Sequence, residues 1–263
     1  MFWKLCLTVA LFMAAPSACV TLQSPAPLAA AYPGWFSADD HALTWADGEV
    51  MPLDDGRIFK SFADKLLSAD LDDQLSLPYP AGSSFPLPKT DQDPGRLRFM
   101  PFFKKMYGAT EQDVREKLVT VRWLPNSADV PLLVTTVNGV NKSLEAISAE
   151  IEELSPETKA CALRPAGTFC WRPIAGTDRL SPHSFGIALD LDVEWSQYWR
   201  WDLDGDKKKM EYANRIPLEI VEIFERHGFI WGGKWYHYDT MHFEYRPELL
   251  GKRLERLPKG AAQ

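Results

Sequence analysis

The sequence lacks long runs of basic residues, and its formal net charge is −7 over 263 residues. An acidic chain without a basic patch binds nucleic acid and anionic membrane surfaces poorly, so we expect neither as a partner. Beyond its N-terminus it also lacks an apolar run long enough to cross a bilayer, which predicts no transmembrane segment in the mature chain. Histidine and cysteine are scarce, at five and four residues, so each potential metal ligand can be weighed individually.

The N-terminus has the features of a secretory signal. One lysine precedes an apolar stretch from Leu5 to Ala15, and small residues follow. This pattern is too short for a transmembrane helix and predicts a signal peptide over residues 1–18. We therefore expect export to the periplasm or cell envelope. Cys19 leaves lipid anchoring open as an alternative to simple cleavage, although Pro16 departs from the aliphatic residue that lipoprotein sites usually carry there.

The remaining chain divides by composition. Residues 19–35 are rich in Ala and Pro and predict a linker. Residues 36–125 carry many Pro and Asp-Gly signals and are interpreted as an irregular N-terminal elaboration that packs on a core domain. The core domain is placed over residues 126–252, and a tail over residues 253–263.

The core domain mixes strand and helix patterns. Residues 132–137 and 186–193 predict strands, and residues 217–227 predict a helix. Another helix is predicted by an apolar stripe made of Val140, Leu144, Ile147, Ile151 and Leu154. Strands and helices that do not alternate strictly predict an α+β fold.

Two cysteines remain after signal removal, Cys161 and Cys170, and they bracket eight residues. In an exported protein, a pair at this spacing predicts a disulfide that closes a short loop. Two free thiols are the alternative. Metal binding by this pair is disfavoured because no second Cys/His pair follows at the spacing of a zinc finger.

The stretch "SPHSFGIALDLD" places carboxylates in an apolar strand. Along residues 186–193, the apolar side chains share one face, while Asp190 and Asp192 occupy the other. A carboxylate buried there needs a partner. His183 lies just before the strand, and His and Asp are ligand types that catalytic zinc takes. A metal cation bound by both His183 and Asp190 would neutralise the buried carboxylate, and an arginine partner for Asp190 is the alternative.

A third ligand has to come from elsewhere in the chain. In "DTMHFE", His242 follows Asp239 by three residues and shares a strand face with Glu244. His237 is a weaker candidate because no Asp precedes it at that distance. Ligand histidines usually donate their other nitrogen to an acceptor, and Glu244 is the predicted acceptor.

These stretches resemble a known family. "SPHSFGIALDLD" resembles the S-x-H-x-x-G-x-A-x-D signature of VanY-like D-alanyl-D-alanine carboxypeptidases and their relatives, and "DTMHFE" is similar to their second signature. "WRPIAGTDRLSPH" resembles the stretch that leads into the first one. The resemblance covers about residues 130–248 and leaves the N-terminal elaboration outside.

The resemblance implies a small antiparallel sheet with flanking helices that cradle a zinc site, as in hedgehog-type folds. The implied zinc ligands are His183, Asp190 and His242. Asp239 would be the general base that activates a zinc-bound water, and Arg172 would bind substrate and stabilise the charge on the scissile carbonyl oxygen. Ser181 would contact substrate or hold the loop of His183.

The implied activity is that of an exported zinc metallopeptidase acting on peptidoglycan stem peptides. A D-alanyl-D-alanine carboxypeptidase is the first expectation, and an L,D- or D,D-endopeptidase of the same family is the alternative. A zinc-containing binding module without catalysis is the rival class. The presence of Asp239 and Arg172 argues against it, because a purely structural site needs neither.

Overall fold

The computed structural model describes residues 25–204 and 210–251. The α-helices of this part are α1 (Ala26–Ala31), α2 (Phe62–Leu67), α3 (Leu71–Leu75), α4 (Met100–Tyr107), α5 (Glu111–Arg115), α6 (Val140–Glu152), α7 (Pro156–Lys159), α8 (Trp199–Asp204) and α9 (Leu218–Arg226). The strands are β1 (Phe36–Ala38), β2 (Ala42–Trp45), β3 (Val50–Pro52), β4 (Leu118–Trp123), β5 (Val130–Thr135), β6 (Ala188–Asp190), β7 (Phe229–Trp231) and β8 (His242–Tyr245).

The strands form small antiparallel sheets with the orders β1-β2-β3, β4-β5 and β6-β8-β7. Helices accompany these sheets without the regular alternation of a parallel α/β fold. The predicted α+β class, with small antiparallel sheets and flanking helices, is confirmed. The third sheet carries two of the predicted metal ligands, so its register determines the site.

The two predicted core helices are present as α6 and α9. The apolar stripe of α6 is buried at Val140, Leu144, Ile147 and Ile151, as its helical spacing predicts. On α9, Phe224 stacks on Phe243 of β8 with ring centroids 3.9 Å apart. Helix α9 therefore supports the strand on which His242 lies.

The strand predicted over residues 186–193 is shorter in the structure, where β6 ends at Asp190. The Asp192 side chain accepts a hydrogen bond from the Glu194 backbone N–H at 3.0 Å and caps a 3₁₀-helix that begins at Val193. That local hydrogen bond competes with the sheet ladder. Val193 is accordingly 45% exposed rather than buried with the rest of its predicted face.

Gly186 sets the position of the loop that carries His183. Its φ of 66° lies in the left-handed region, where it ends the 3₁₀-helix Pro182–Phe185. Its carbonyl accepts a hydrogen bond from the Thr135 backbone N–H of β5 at 3.1 Å. A β-carbon at this position would lie 2.7 Å from the side chain of Leu118, so only glycine fits here without displacement.

The N-terminal residues pack on the rest of the chain. Residues 25–35 were expected in a linker, but Leu28 of α1 and the following Tyr32 are fully buried. The Tyr32 hydroxyl donates to a carboxylate oxygen of Glu248 at 2.7 Å. Phe103 of α4 stacks on Phe185 in the loop of His183 at 5.9 Å. These contacts correct the predicted linker from residue 25 onward, since apolar burial fixes that segment.

The predicted disulfide between Cys161 and Cys170 is absent, and both thiols are free. Cys161 lies in the 3₁₀-helix Ala160–Ala162 within the hydrophobic core, whereas Cys170 is exposed. The prediction was wrong because spacing says nothing of direction: one side chain points into the core and the other to solvent. Burial raises the pKa of Cys161 to about 12, so its thiol is unreactive.

The predicted signal peptide, Cys19 and the predicted tail over residues 253–263 lie outside the described residues. Within residues 25–204 and 210–251, no helix is both long and apolar enough to cross a lipid bilayer.

Candidate metal centre and its cleft

Three predicted ligands converge at one point. His183 lies in the 3₁₀-helix after Ser181, Asp190 ends β6, and His242 begins β8. The register of the antiparallel pair places Asp190 directly opposite His242. One ligand atom from each of the three residues lies within 4.8 Å of the other two.

The orientation of both histidine rings is defined by hydrogen bonds. His183 Nδ1 lies 2.5 Å from the Thr168 carbonyl oxygen, which leaves Nε2 facing Asp190 at 3.2 Å. His242 Nδ1 lies 3.0 Å from the other oxygen of Asp190. Each histidine thus directs one ring nitrogen at the same carboxylate, an arrangement typical of ligands around one cation.

The charges of Asp190 and His242 stabilise each other. Burial alone would raise the pKa of Asp190, but the charges and hydrogen bonds of His183 and His242 lower it well below the ordinary range. Burial alone would lower the pKa of His242, but its hydrogen bonds to Asp190 and Glu244 raise it to about 9. A proton on His242 therefore occupies the position that a cation would take, and metal binding would have to release it.

Glu244 lies beside His242 on the side of its Nε2 atom. Its carboxylate lies 3.5 Å from His242 Nε2 and is completely buried. Arg98 Nε donates to Glu244 at 2.8 Å, and Arg246 Nη1 lies 3.4 Å from the same carboxylate. Burial alone would raise the pKa of Glu244, but the charge of Arg98 and the other contacts lower it well below its usual range. Glu244 is therefore ionised and able to accept a hydrogen bond from His242.

Asp239 lies on the turn before β8, at the edge of the same group. Its Oδ1 atom is buried and has no hydrogen-bond partner among the described residues. Burial and the negative charge of Asp190 raise its pKa to about 6. A buried carboxylate oxygen without a protein partner is usually completed by an ion, a ligand or an ordered water. Together with two imidazole nitrogens and a carboxylate, this fits a divalent cation and its water.

A cleft of about 300 Å³ opens over the three ligands. Its walls include the predicted residues Arg172, Ser181 and Asp239. The exposed Arg172 side chain has no partner within the described part of the chain. Ser181 Oγ accepts from the His183 backbone N–H at 3.4 Å, so Ser181 holds the loop of that ligand. Further walls come from Arg96, Arg98, Ile174, Tyr198, Trp201 and Trp235.

His237, the weaker candidate ligand, lines the cleft but is bound elsewhere. Its Nδ1 lies 2.7 Å from a carboxylate oxygen of the buried Asp93, and its backbone N–H donates to the other oxygen at 2.9 Å. This pairing explains why His237 does not join the three ligands.

A second acidic group, formed by Asp54, Asp55 and Asp70, also has the spacing of metal ligands. Lys60 Nζ forms ion pairs with Asp70 and, at 3.0 Å, with Asp55. The lysine already neutralises this group, so it is not treated as a metal site.

Residues 175–245 match the family model described as D-alanyl-D-alanine carboxypeptidase. The matched segment contains the three candidate ligands and Asp239, and it confirms the resemblance to the VanY-like family. The match supports a carboxypeptidase-like metallopeptidase. Comparisons with curated proteins and with solved structures gave no match.

Several residues of the site carry no sequence signal. Arg96 and Arg98 come from the N-terminal elaboration and reach the cleft from about 140 residues away along the chain. Neither belongs to a motif, and only the tertiary structure places them there. Arg179 lies near Arg96 and Arg98, within the stretch that leads into the first signature, where Arg172 was the arginine predicted to bind substrate.

Proposed function

We propose that the protein is an exported zinc metallopeptidase that hydrolyses peptidoglycan stem peptides, with D-alanyl-D-alanine carboxypeptidase as its first activity. The observation that carries this proposal is the convergence of His183, Asp190 and His242 beneath a cleft that also contains Asp239. The family match over residues 175–245 supports the class of reaction.

The ligand set fits zinc, because two imidazoles and one carboxylate leave a coordination position open for catalysis. Zinc, when bound, supplies Lewis acidity that brings the pKa of a water to about 7. The protein contributes the fixed ring orientations: Thr168 holds His183, and Glu244 holds His242. Such supporting contacts keep ligands in place during reaction.

Asp239 is the proposed general base. Its pKa of about 6 lets it accept a proton from the attacking water at neutral pH and return that proton to the leaving amine. Its position on the turn before β8 keeps it beside the ligands without becoming one of them. A base of this kind typically contributes about 10²- to 10⁴-fold to the rate.

Arg172 is the proposed stabiliser of the negative charge that develops on the scissile carbonyl oxygen. Its backbone is fixed on both sides: its N–H donates to Ser184 Oγ at 3.0 Å, and its carbonyl accepts from the Ser181 N–H at 3.0 Å. Because its backbone is fixed and its guanidinium is free of other partners among the described residues, Arg172 can stabilise the negative charge on the carbonyl oxygen in the transition state.

The N-terminal apolar segment supports the proposed export to the periplasm or cell envelope, where peptidoglycan would be accessible. Lipid anchoring at Cys19 is the alternative to a freely soluble mature protein. An endopeptidase that cuts within cross-linked peptides is the second candidate activity.

The test compares the purified zinc-loaded chain with Asp239→Asn, using a stem pentapeptide that ends in D-Ala-D-Ala. We expect about one zinc in both proteins and release of D-alanine by wild type, with a loss of about 10²- to 10⁴-fold in the variant. Asp178→Asn, an exposed acid near the cleft, is the matched control and should retain full activity. If zinc binds and wild type releases nothing from any stem peptide, the non-catalytic binding module takes precedence.

A further inference from the structure

The wall of the cleft has a surplus of arginine. Arg96, Arg98 and Arg172 line it, and Arg179 lies close enough to Arg96 and Arg98 for their charges to interact. Buried Glu244 neutralises Arg98, and buried Asp93 forms an ion pair with Arg96 at 3.1 Å. No acidic partner accounts for the other two arginines within the described residues.

The backbone directs Arg179 toward the cleft. Residues 172–181 form a narrow hairpin in which Pro173 pairs with Leu180, and the Ile174 N–H donates to the Arg179 carbonyl at 2.8 Å. Side chains alternate between the faces of such a ladder, and opposed residues share a face. Arg179 therefore projects on the same side as Arg172, Ile174 and Ser181, all of which line the cleft.

The guanidinium of Arg179 has unmet hydrogen-bonding capacity. Its Nε and Nη1 atoms are buried and have no partner among the described residues. Burial, with the nearby charges of Arg98 and Arg96, lowers its pKa to about 10, so the side chain stays charged at neutral pH. A buried cation without a partner is unfavourable unless a ligand completes it.

Arg96 also keeps donors available on this wall. Within residues 25–204 and 210–251, its hydrogen bonds use Nη1 alone, to Asp93 and, at 3.5 Å, to the His237 carbonyl oxygen. His237 precedes Asp239 by two residues, so Arg96 contacts the turn that carries the proposed base. Arg96 thus lies on the side of the cleft that faces Asp239, and Arg179 is close enough to Arg96 for their charges to interact.

We propose that Arg179 and Arg96 bind the free carboxylate of the residue that the reaction releases. This inference rests on the proposed function, in which Asp239 protonates the leaving amine. In an α-amino acid the carboxylate carbon is two bonds from that nitrogen, so an anion site beside Asp239 receives it. The planar fork of a guanidinium matches a carboxylate in a bidentate manner.

This assignment makes the N-terminal elaboration part of substrate recognition. Arg96 comes from outside the matched residues 175–245, and it lies close enough to Arg179 for their charges to interact. A site of this kind requires a free chain end next to the scissile bond, which favours a carboxypeptidase over an endopeptidase. A peptide whose terminal carboxylate is converted to an amide would leave Arg179 without an anionic partner.

The experiment compares a stem pentapeptide ending in D-Ala-D-Ala as free acid and as C-terminal amide, using the zinc-loaded full chain. For wild type we expect kcat/KM to favour the acid by about 100-fold or more, since a site that bonds a charged group rejects analogues lacking it. Arg179→Gln should raise KM for the acid by about 10- to 100-fold with little change in kcat, and it should leave the amide unaffected. Arg179→Lys keeps the charge but lacks the planar guanidinium, so its KM for the acid should lie between those of wild type and Arg179→Gln.

Controls separate recognition from folding. The thermal midpoint of Arg179→Gln should equal or exceed that of wild type, because the substitution removes a buried charge without a partner. Arg122→Gln, an exposed arginine paired with Asp129 far from the cleft, is the matched control and should keep the preference for the acid. Equal cleavage of acid and amide by wild type, or an equal loss on both in Arg179→Gln, would overturn the inference.

Calorimetric titration of both peptides distinguishes failure of this inference from failure of the proposed function. If wild type with bound zinc cleaves neither peptide, the proposed function fails, but binding still decides the anion site. Tighter binding of the acid than of the amide, lost in Arg179→Gln, supports the site. Equal binding of the two peptides by wild type contradicts it.

Discussion

The floor and the wall of the cleft differ in how the sequence encodes them. The floor is built from residues 181–245, where ligands and base occur at short, recognisable spacings. The wall draws on residues 93–98, which carry no motif and reach the site through tertiary contacts alone. The proposed ligands and base can thus be recognised from short sequence motifs. Support of the ligand His242 and the proposed substrate selection depend instead on packing between distant segments.

The largest effect should follow from removing the central carboxylate of the floor. We expect Asp190→Asn to abolish stoichiometric zinc binding and to lower activity by about 1,000-fold or more, because several kcal/mol of stabilisation come from the metal. Metal analysis after dialysis, followed by a peptide-release assay, measures both. Asp192→Asn is the matched control, since Asp192 lies two residues away and pairs with Arg164 at 2.9 Å instead. Full zinc occupancy in Asp190→Asn would remove the basis of the site.

The next largest effect should follow from breaking the ion pair between Arg98 of the cleft wall and Glu244, which lies beside the ligand His242. Arg98→Met leaves the buried Glu244 without its main partner, and we expect it to cost about 3–5 kcal/mol in the free energy of unfolding. Zinc affinity should fall about 10- to 100-fold, because His242 loses its supported acceptor. Chemical denaturation and zinc titration check the two effects separately.

A double variant separates the effect on stability from the effect on zinc affinity. Arg98→Met combined with Glu244→Met should regain much of the stability, because an apolar pair replaces a buried ion pair. The lowered zinc affinity should persist, since His242 Nε2 still lacks an acceptor. If zinc affinity recovers together with stability, Glu244 acts only through the fold and not on the ligand.

A smaller effect concerns pH. The base must be ionised to accept a proton, so activity is present above the pKa of Asp239 and is lost as the pH falls through it. That pKa is raised to about 6 in the protein, and a bound cation would lower it, so the acid limb of kcat/KM should have a midpoint at or below about pH 6. Activity that rises steadily below pH 5 would contradict the role of Asp239.

The smallest effect concerns the two cysteines. Because Cys170 is exposed and Cys161 is buried with a pKa of about 12, a thiol reagent should label Cys170 rapidly and Cys161 only after unfolding. Reducing agents should leave the thermal midpoint unchanged. A midpoint that falls on reduction, with no thiol labelled beforehand, would reinstate the disulfide.

Sequence patterns succeeded where local physics decides the structure. The helical stripe of α6 and the inward face of α9 follow from 3.6-residue periodicity, and both match the buried side chains. The ligand set His183, Asp190 and His242 was expected from the family resemblance, whereas the register that places Asp190 opposite His242 is seen only in the structure.

Sequence patterns failed where a contact depends on a distant partner. Spacing predicted a disulfide, but the directions of Cys161 and Cys170 are set by the core around them. Arg98 carries no sequence signal because its partner Glu244 is 146 residues away. Strand β6 was predicted too long because the side chain of Asp192 competes locally with the ladder.

The most direct test of the account is a titration of the metal-free full chain with zinc, followed by release of D-alanine from a stem pentapeptide. The account predicts that activity rises in proportion to zinc and stops at about one equivalent, as a single three-ligand site requires. Peptide release that is unchanged by zinc and by chelators, or zinc binding without any release, would contradict it.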